Sequence, residues 1–107
     1  TTVPPPEGAS QATLTSLDCA GERVTITNTA AAAIDLTGWS IHDEGTKHTF
    51  NFPAGYRLDA GASVTVRSGG PAEPGELAWT GASVWNNDGD TAYLVTPAGA
   101  VASTRSC

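Results

Sequence analysis

The sequence predicts an all-β fold, an antiparallel sandwich of about 8–9 short strands. Three observations predict it. From Gln11 onward, apolar and polar residues alternate with the period of two that half-buried strands show. Turn-forming Gly, Pro, Asn and Asp recur about every 8–12 positions. No stretch carries convincing helical periodicity. A closed barrel satisfies the same pattern, and sequence alone barely separates the two.

The elements follow in order. The chain opens Thr1-Thr2-Val3-Pro4-Pro5-Pro6, and residues 1–10 read as a Pro-rich linker, because proline fixes φ and has no amide proton to donate. The absence of Met is expected of a processed or excised piece. The folded domain is expected over residues 11–107. Ala12–Leu17 is a weak first strand, and Arg23–Asn28 a clear one, with Val24 and Ile26 on one face and Thr25 and Thr27 on the other. Ala30–Ala33 favour helix locally, but the run is too short to stand alone and reads as a loop or turn.

Gly38–Asp43 places Trp39 and Ile41 on one side, and Asp43-Glu44-Gly45-Thr46 reads as a hairpin turn. Lys47–Phe52 returns and stops at Pro53, which cannot donate to a ladder. Leu58-Asp59-Ala60-Gly61 is a second turn, leading into a strand at Ser63–Arg67. Gly69–Gly75 is the longest loop, and short apolar pieces follow around Leu77, Trp79, Val84 and Trp85. Asn86-Asn87-Asp88-Gly89-Asp90 is a third turn before Thr91–Thr96, and Pro97-Ala98-Gly99 turns into a last strand at Ala100–Ser103.

Charge and cysteines narrow the function. Five Lys and Arg against 11 Asp and Glu give a formal charge of −6. Arg23, Lys47, Arg57, Arg67 and Arg105 are scattered, so nucleic acid and anionic membranes are not expected partners. No apolar run approaches the ~18 residues of a bilayer span, so no membrane insertion is expected. Cys19 lies just before a strand and Cys107 is the last residue; the pair fits no zinc motif. A disulfide is expected, pinning the last strand to the first, with two unpaired thiols as the alternative. Such a bond persists in an oxidising compartment, which points to an extracellular or cell-surface location.

The order of landmarks resembles the lamin tail domain family, an immunoglobulin-like β-sandwich. The blocks are Val24–Asn28, Ile34–Ile41, Phe50–Pro53, Leu58–Val66, Gly69-Gly70, Trp85–Leu94 and Pro97-Ala98-Gly99, covering about residues 11–104. At these positions Leu36 and Trp39 are expected to anchor the core and Gly38 to allow the tight approach to its strand. Gly61 and Gly89 are expected to hold turns, and Asn28 and Asp90 to satisfy backbone groups at strand ends. Unlike nuclear lamins, the chain has no heptads, and Cys107 is terminal instead of four from the end. The resemblance is to the prokaryotic secreted branch, whose members resemble accessory modules of extracellular nucleases, other hydrolases and surface proteins. It implies a class, a non-catalytic structural or interaction module that is monomeric in isolation, and not an activity.

Three constellations remain. His42 and His48 flank the predicted hairpin turn, as direct cross-strand neighbours or offset by one; near Asp43 or Glu44 they form a candidate divalent-metal pair, against a reading as exposed hairpin residues. Asn86, Asp88 and Asp90 form an oxygen-rich turn supplying about half of the 6–8 oxygens calcium takes, without the bidentate Glu of an EF-hand; a plain hairpin corner explains the same residues. Trp79 and Trp85 are candidates for stacking sugar rings in a carbohydrate- or cell-wall-binding module, with core packing as the competing role. No GxSxG, HExxH, P-loop or dinucleotide motif occurs, and no catalytic residue is expected. No cofactor is expected beyond the calcium considered for the turn; a partner would be a protein or a glycan.

Overall fold

The computed structural model describes residues 12–45 and 47–107, and the linker reading of residues 1–10 lies outside them. The described residues form ten strands and no helix: β1 (Ala12–Asp18), β2 (Arg23–Asn28), β3 (Ile34–Asp35), β4 (Ser40–His42), β5 (Thr49–Asn51), β6 (Arg57–Leu58), β7 (Ser63–Arg67), β8 (Glu76–Ala78), β9 (Thr91–Val95) and β10 (Val101–Ser106). One sheet runs β1-β2-β7-β8, a second runs β10-β9-β4-β5, and β3 pairs with β6 in a two-stranded ribbon. The architecture is an immunoglobulin-like sandwich.

Burial alternates along the strands as the sequence pattern requires. Val24, Ile26, Val64 and Val66 of the first sheet face Ile41, Phe50, Ala92 and Leu94 of the second, and Leu14, Leu36, Trp39 and Leu58 complete the core. The outward row of the first sheet is hydroxylated, with Thr25 Oγ1 bonded to Thr65 Oγ1 at 3.0 Å and Thr27 Oγ1 to Ser63 Oγ at 2.7 Å. Such cross-strand pairs add to the register that the buried face already fixes.

Three features depart from the strand-by-strand expectation. Ile34↔Leu58 and Asp35↔Arg57 form a ribbon, so Leu58 ends a strand where a turn was expected. β8 runs parallel to β7, with Val66↔Leu77 in register, whereas every other pairing is antiparallel. The Gly- and Pro-rich connection over residues 68–75 carries the chain back alongside β7, where Glu76 comes level with Thr65. Val84 and Trp85 lie in no strand although both are buried.

Cys19 and Cys107 form a disulfide with Cα atoms 6.0 Å apart. It joins the edges of the two sheets on one flank, where Leu14 N also donates to Ser103 Oγ at 3.0 Å. On the other flank Trp79 tilts against Phe50, ring centroids 5.8 Å apart. One side of the sandwich is thus tied covalently, the other filled by aromatic rings.

Candidate functional site

The β4–β5 hairpin and the turn before β9 are distant in sequence, and the fold brings them together. Glu44 N donates to Asp90 Oδ1 at 3.4 Å across a separation of 46 residues. Asp43, Glu44, Lys47, His48, Val84, Asn86, Gly89 and Asp90 line an open cavity of about 400 Å³ between them. It draws on both the histidine hairpin and the oxygen-rich turn.

On the hairpin side Asp43 is the fixed point. Its side chain is only 5% exposed, while that of His48 is 35% exposed. Asp43 Oδ1 accepts from His48 N at 3.0 Å, and Oδ2 lies 3.1 Å from His48 Nδ1. A carboxylate oxygen only accepts, so this contact orients the His48 ring with Nδ1 toward Asp43 and Nε2 away from it. His42 pairs with Thr49, which offsets it from His48 by one residue and puts the two rings on opposite faces. His42 instead stacks on Tyr93, ring centroids 4.8 Å apart, on the outer face of the second sheet. The two histidines therefore do not share a site.

On the turn side the oxygens serve the backbone of their own loop. Asp90 Oδ2 accepts from Asn86 N at 3.1 Å and Oδ1 from Thr91 N at 2.8 Å, while Asn86 Oδ1 accepts from Asp88 N at 3.0 Å. Cys107 N donates to Asp90 O at 3.2 Å, so the disulfide end of β10 buttresses this turn. Gly89 has φ of +133°, a conformation reserved for a residue without Cβ. Among the described residues no three His, Cys, Asp or Glu side chains are gathered as a metal-holding group.

The wall behind the cavity depends on a residue whose role the sequence does not reveal. Glu22 is buried at 8% exposure and is the one described non-glycine residue with positive φ, +57°. Its Oε1 accepts from Val84 N at 2.6 Å and Ser68 Oγ at 2.8 Å, and its Oε2 accepts from Trp85 N at 3.1 Å. In sequence it sits in a polar Gly-Glu-Arg turn, indistinguishable from a solvated acid. Its positive φ and three neutral donors become visible only in three dimensions.

The tryptophans lie behind this wall. Trp85 is 2% exposed and meets Trp79 edge to face, centroids 5.7 Å apart. Trp85 offers no ring face to a sugar; Trp79 is half-buried against Phe50 and Trp85. The remaining motif residues are structural in position. Asn28 Nδ2 donates to Ala32 O and Leu58 O, both at 2.9 Å, and its Oδ1 accepts from Ala30 N at 2.9 Å. Leu36 and Trp39 are buried, and Gly38 and Gly61 take φ of +84° and +75°.

Chemically the cavity presents three carboxylates, one ammonium and one oriented imidazole, so its mouth favours cationic over anionic groups. The family profile described as Lamin Tail Domain matches residues 4–107. No curated protein matches the chain.

Proposed function

The chain belongs to the lamin tail domain family, and we infer from this that it acts as a non-catalytic interaction module of a larger extracellular or cell-surface protein, in the manner of the secreted prokaryotic members. The family is one of immunoglobulin-like, non-enzymatic domains. One observation carries the reading to this chain. The buried or loop-closing polar side chains, Glu22, Asn28, Asp43 and Asp90, direct their oxygens at the protein's own amide groups. They brace loops that present a surface, and that is the task of a scaffold. The disulfide supports residence in an oxidising compartment. The described residues contain no helix long and apolar enough to cross a membrane.

The contact surface we favour is the rim of the acidic cavity, facing a partner that presents basic groups. The carbohydrate alternative loses one of its two platform residues, because Trp85 is enclosed. Deleting residues 12–107 from the full-length protein tests the reading. Retention of that protein at the surface, or its partner binding, is expected to fall while turnover by any attached catalytic domain on a soluble substrate is unchanged. Unchanged retention and partner binding, or hydrolytic turnover by the purified domain that disappears in His48→Ala, would sink it. Specific polysaccharide retention abolished by Trp79→Ala would favour the carbohydrate reading instead.

A further inference from the structure

We propose that the segment Trp79–Asp90 is a strap over the aromatic side of the core, latched by the Glu22 carboxylate, which opens locally while both sheets stay folded. The segment has no strand of its own. Its described anchors to the first sheet's flank are few. Trp79 N donates to Arg67 O, Gly69 N reaches Thr80 O and Ala82 O, and the amides of Val84 and Trp85 both point at Glu22. The latch is thus one side chain holding two consecutive amides.

Two independent observations set this segment apart from an ordinary loop. The first is the character of the latch. Glu22 is a buried carboxylate bonded only to neutral donors. Along its own turn, Asp18 bonds Gly21 N, and Arg23 is engaged with Glu73 and Glu76. On the loop packed against it, Arg67 Nε bonds Ser68 O. No cation pairs with Glu22 among the described residues. Its backbone lies in the left-handed region, a conformation that side chains other than glycine occupy at a cost and that tertiary contacts must hold. Gly69 fits closely around it, since a Cβ there would lie 2.8 Å from Glu22 Cγ.

The second observation is on the strap itself. Trp85 Nε1 is buried without a hydrogen-bond partner, alone in this among the described side chains. The closed seat therefore carries an unmet donor that water would satisfy on opening. Closure is favoured by the Glu22 bonds and the indole packing, and opposed by that N–H and the Glu22 backbone. Such opposed terms give a segment that leaves before the sheets do. Val84, Asn86, Gly89 and Asp90 line the acidic cavity, so opening dismantles one wall of it and bares the Trp79–Trp85 pair. The strap stands whatever the cavity contacts, so it can fail while the interaction reading survives.

Hydrogen exchange by NMR on the whole chain tests it. In the wild type, the Val84 and Trp85 amides are expected to exchange about 100-fold faster than those of Ile26 and Leu94 on the central strands, with little dependence on low urea. Glu22→Gln keeps one acceptor oxygen and places an NH2 against the other amide, which weakens the latch, so exchange should accelerate roughly tenfold at Val84 and Trp85 together while Ile26 and Leu94 stay unchanged. Glu22→Ala should accelerate both, leaving Ile26 and Leu94 unchanged. The proposal is overturned if Val84 and Trp85 share the rates and urea slope of Ile26 and Leu94 in the wild type. A uniform acceleration of all amides in Glu22→Gln would overturn it equally. The wild-type comparison decides even if Glu22→Ala does not fold.

Discussion

At the residue scale, polar side chains facing inward hold the loops in place. Asn28 is fully buried and makes three side-chain hydrogen bonds, while its backbone N–H and C=O pair with Ala62 O and Gly61 N. Removing the amide takes one hydrogen-bond partner from each of Ala32 O, Leu58 O and Ala30 N. Unmet buried groups cost about 1–3 kcal/mol each, less where the loop relaxes toward water. Asn28→Ala is therefore expected to destabilise by about 2–4 kcal/mol, read by urea unfolding. Two glycines of nearly equal φ give a sharper comparison. Gly61 has open space where a Cβ would stand, whereas at Gly69 that atom would press on Glu22 Cγ. Gly61→Ala should cost about 1–2 kcal/mol for the left-handed backbone alone. Gly69→Ala should cost at least about 1 kcal/mol more, because the latch must also shift. Equal losses would show that Glu22 yields without penalty.

At the element scale, legibility tracked strand length and burial. β2, β7 and β9 are read correctly from alternation because each is central, with one buried face. β3 and β6 are two-residue strands, too short for any period to register. The parallel course of β8 is invisible for a different reason: alternation reports which face is buried, never which neighbour a strand joins. The candidate cavity is half legible. Its hairpin and turn stand out in sequence as His- and Asp-bearing punctuation, yet their meeting is a tertiary fact. Glu22 leaves no sequence signal at all.

Two predictions belong to this scale. The disulfide ties the β1 and β10 flank over a separation of 88 residues, worth about 4–5 kcal/mol in the chain-entropy model. Cys19→Ser with Cys107→Ser should lower stability by roughly 2–5 kcal/mol and loosen the Asp90 turn that Cys107 N braces; unfolding with and without reductant measures it. The Asn86–Asp90 turn closes on its own amides, so its stability should not depend on calcium. Melting in excess calcium and in chelator is expected to give one midpoint. A rise in calcium would assign the turn to the metal.

At the scale of the whole molecule, charge and stability part company. The acidic composition puts the isoelectric point near 4.5, where self-repulsion vanishes. Net charge alone would place maximal stability there. Specific carboxylates argue otherwise. Glu76 is held below the usual glutamate range, first by the Glu73 amide and then by Arg23, which it meets at 2.8 Å. Asp35 is held below the aspartate range by the hydroxyl and amide of Thr37. Both groups titrate lower in the folded chain than in the unfolded one, so the unfolded chain takes up protons first on acidification. Their contribution is fully present above the unfolded values, near 4.5 and 3.8, and is lost as pH falls through the lower folded ones. Asp35 is exposed and Glu76 is half-buried beside the partly exposed Arg23, so solvent screens the first effect more than the second and the loss is gradual. The melting temperature should thus be higher at pH 6–7 than at the isoelectric point and decline further below pH 4. Asp35→Asn with Glu76→Gln should lower the neutral plateau and flatten that decline. A wild-type maximum centred on pH 4.5 would mean that global repulsion outweighs these local bonds.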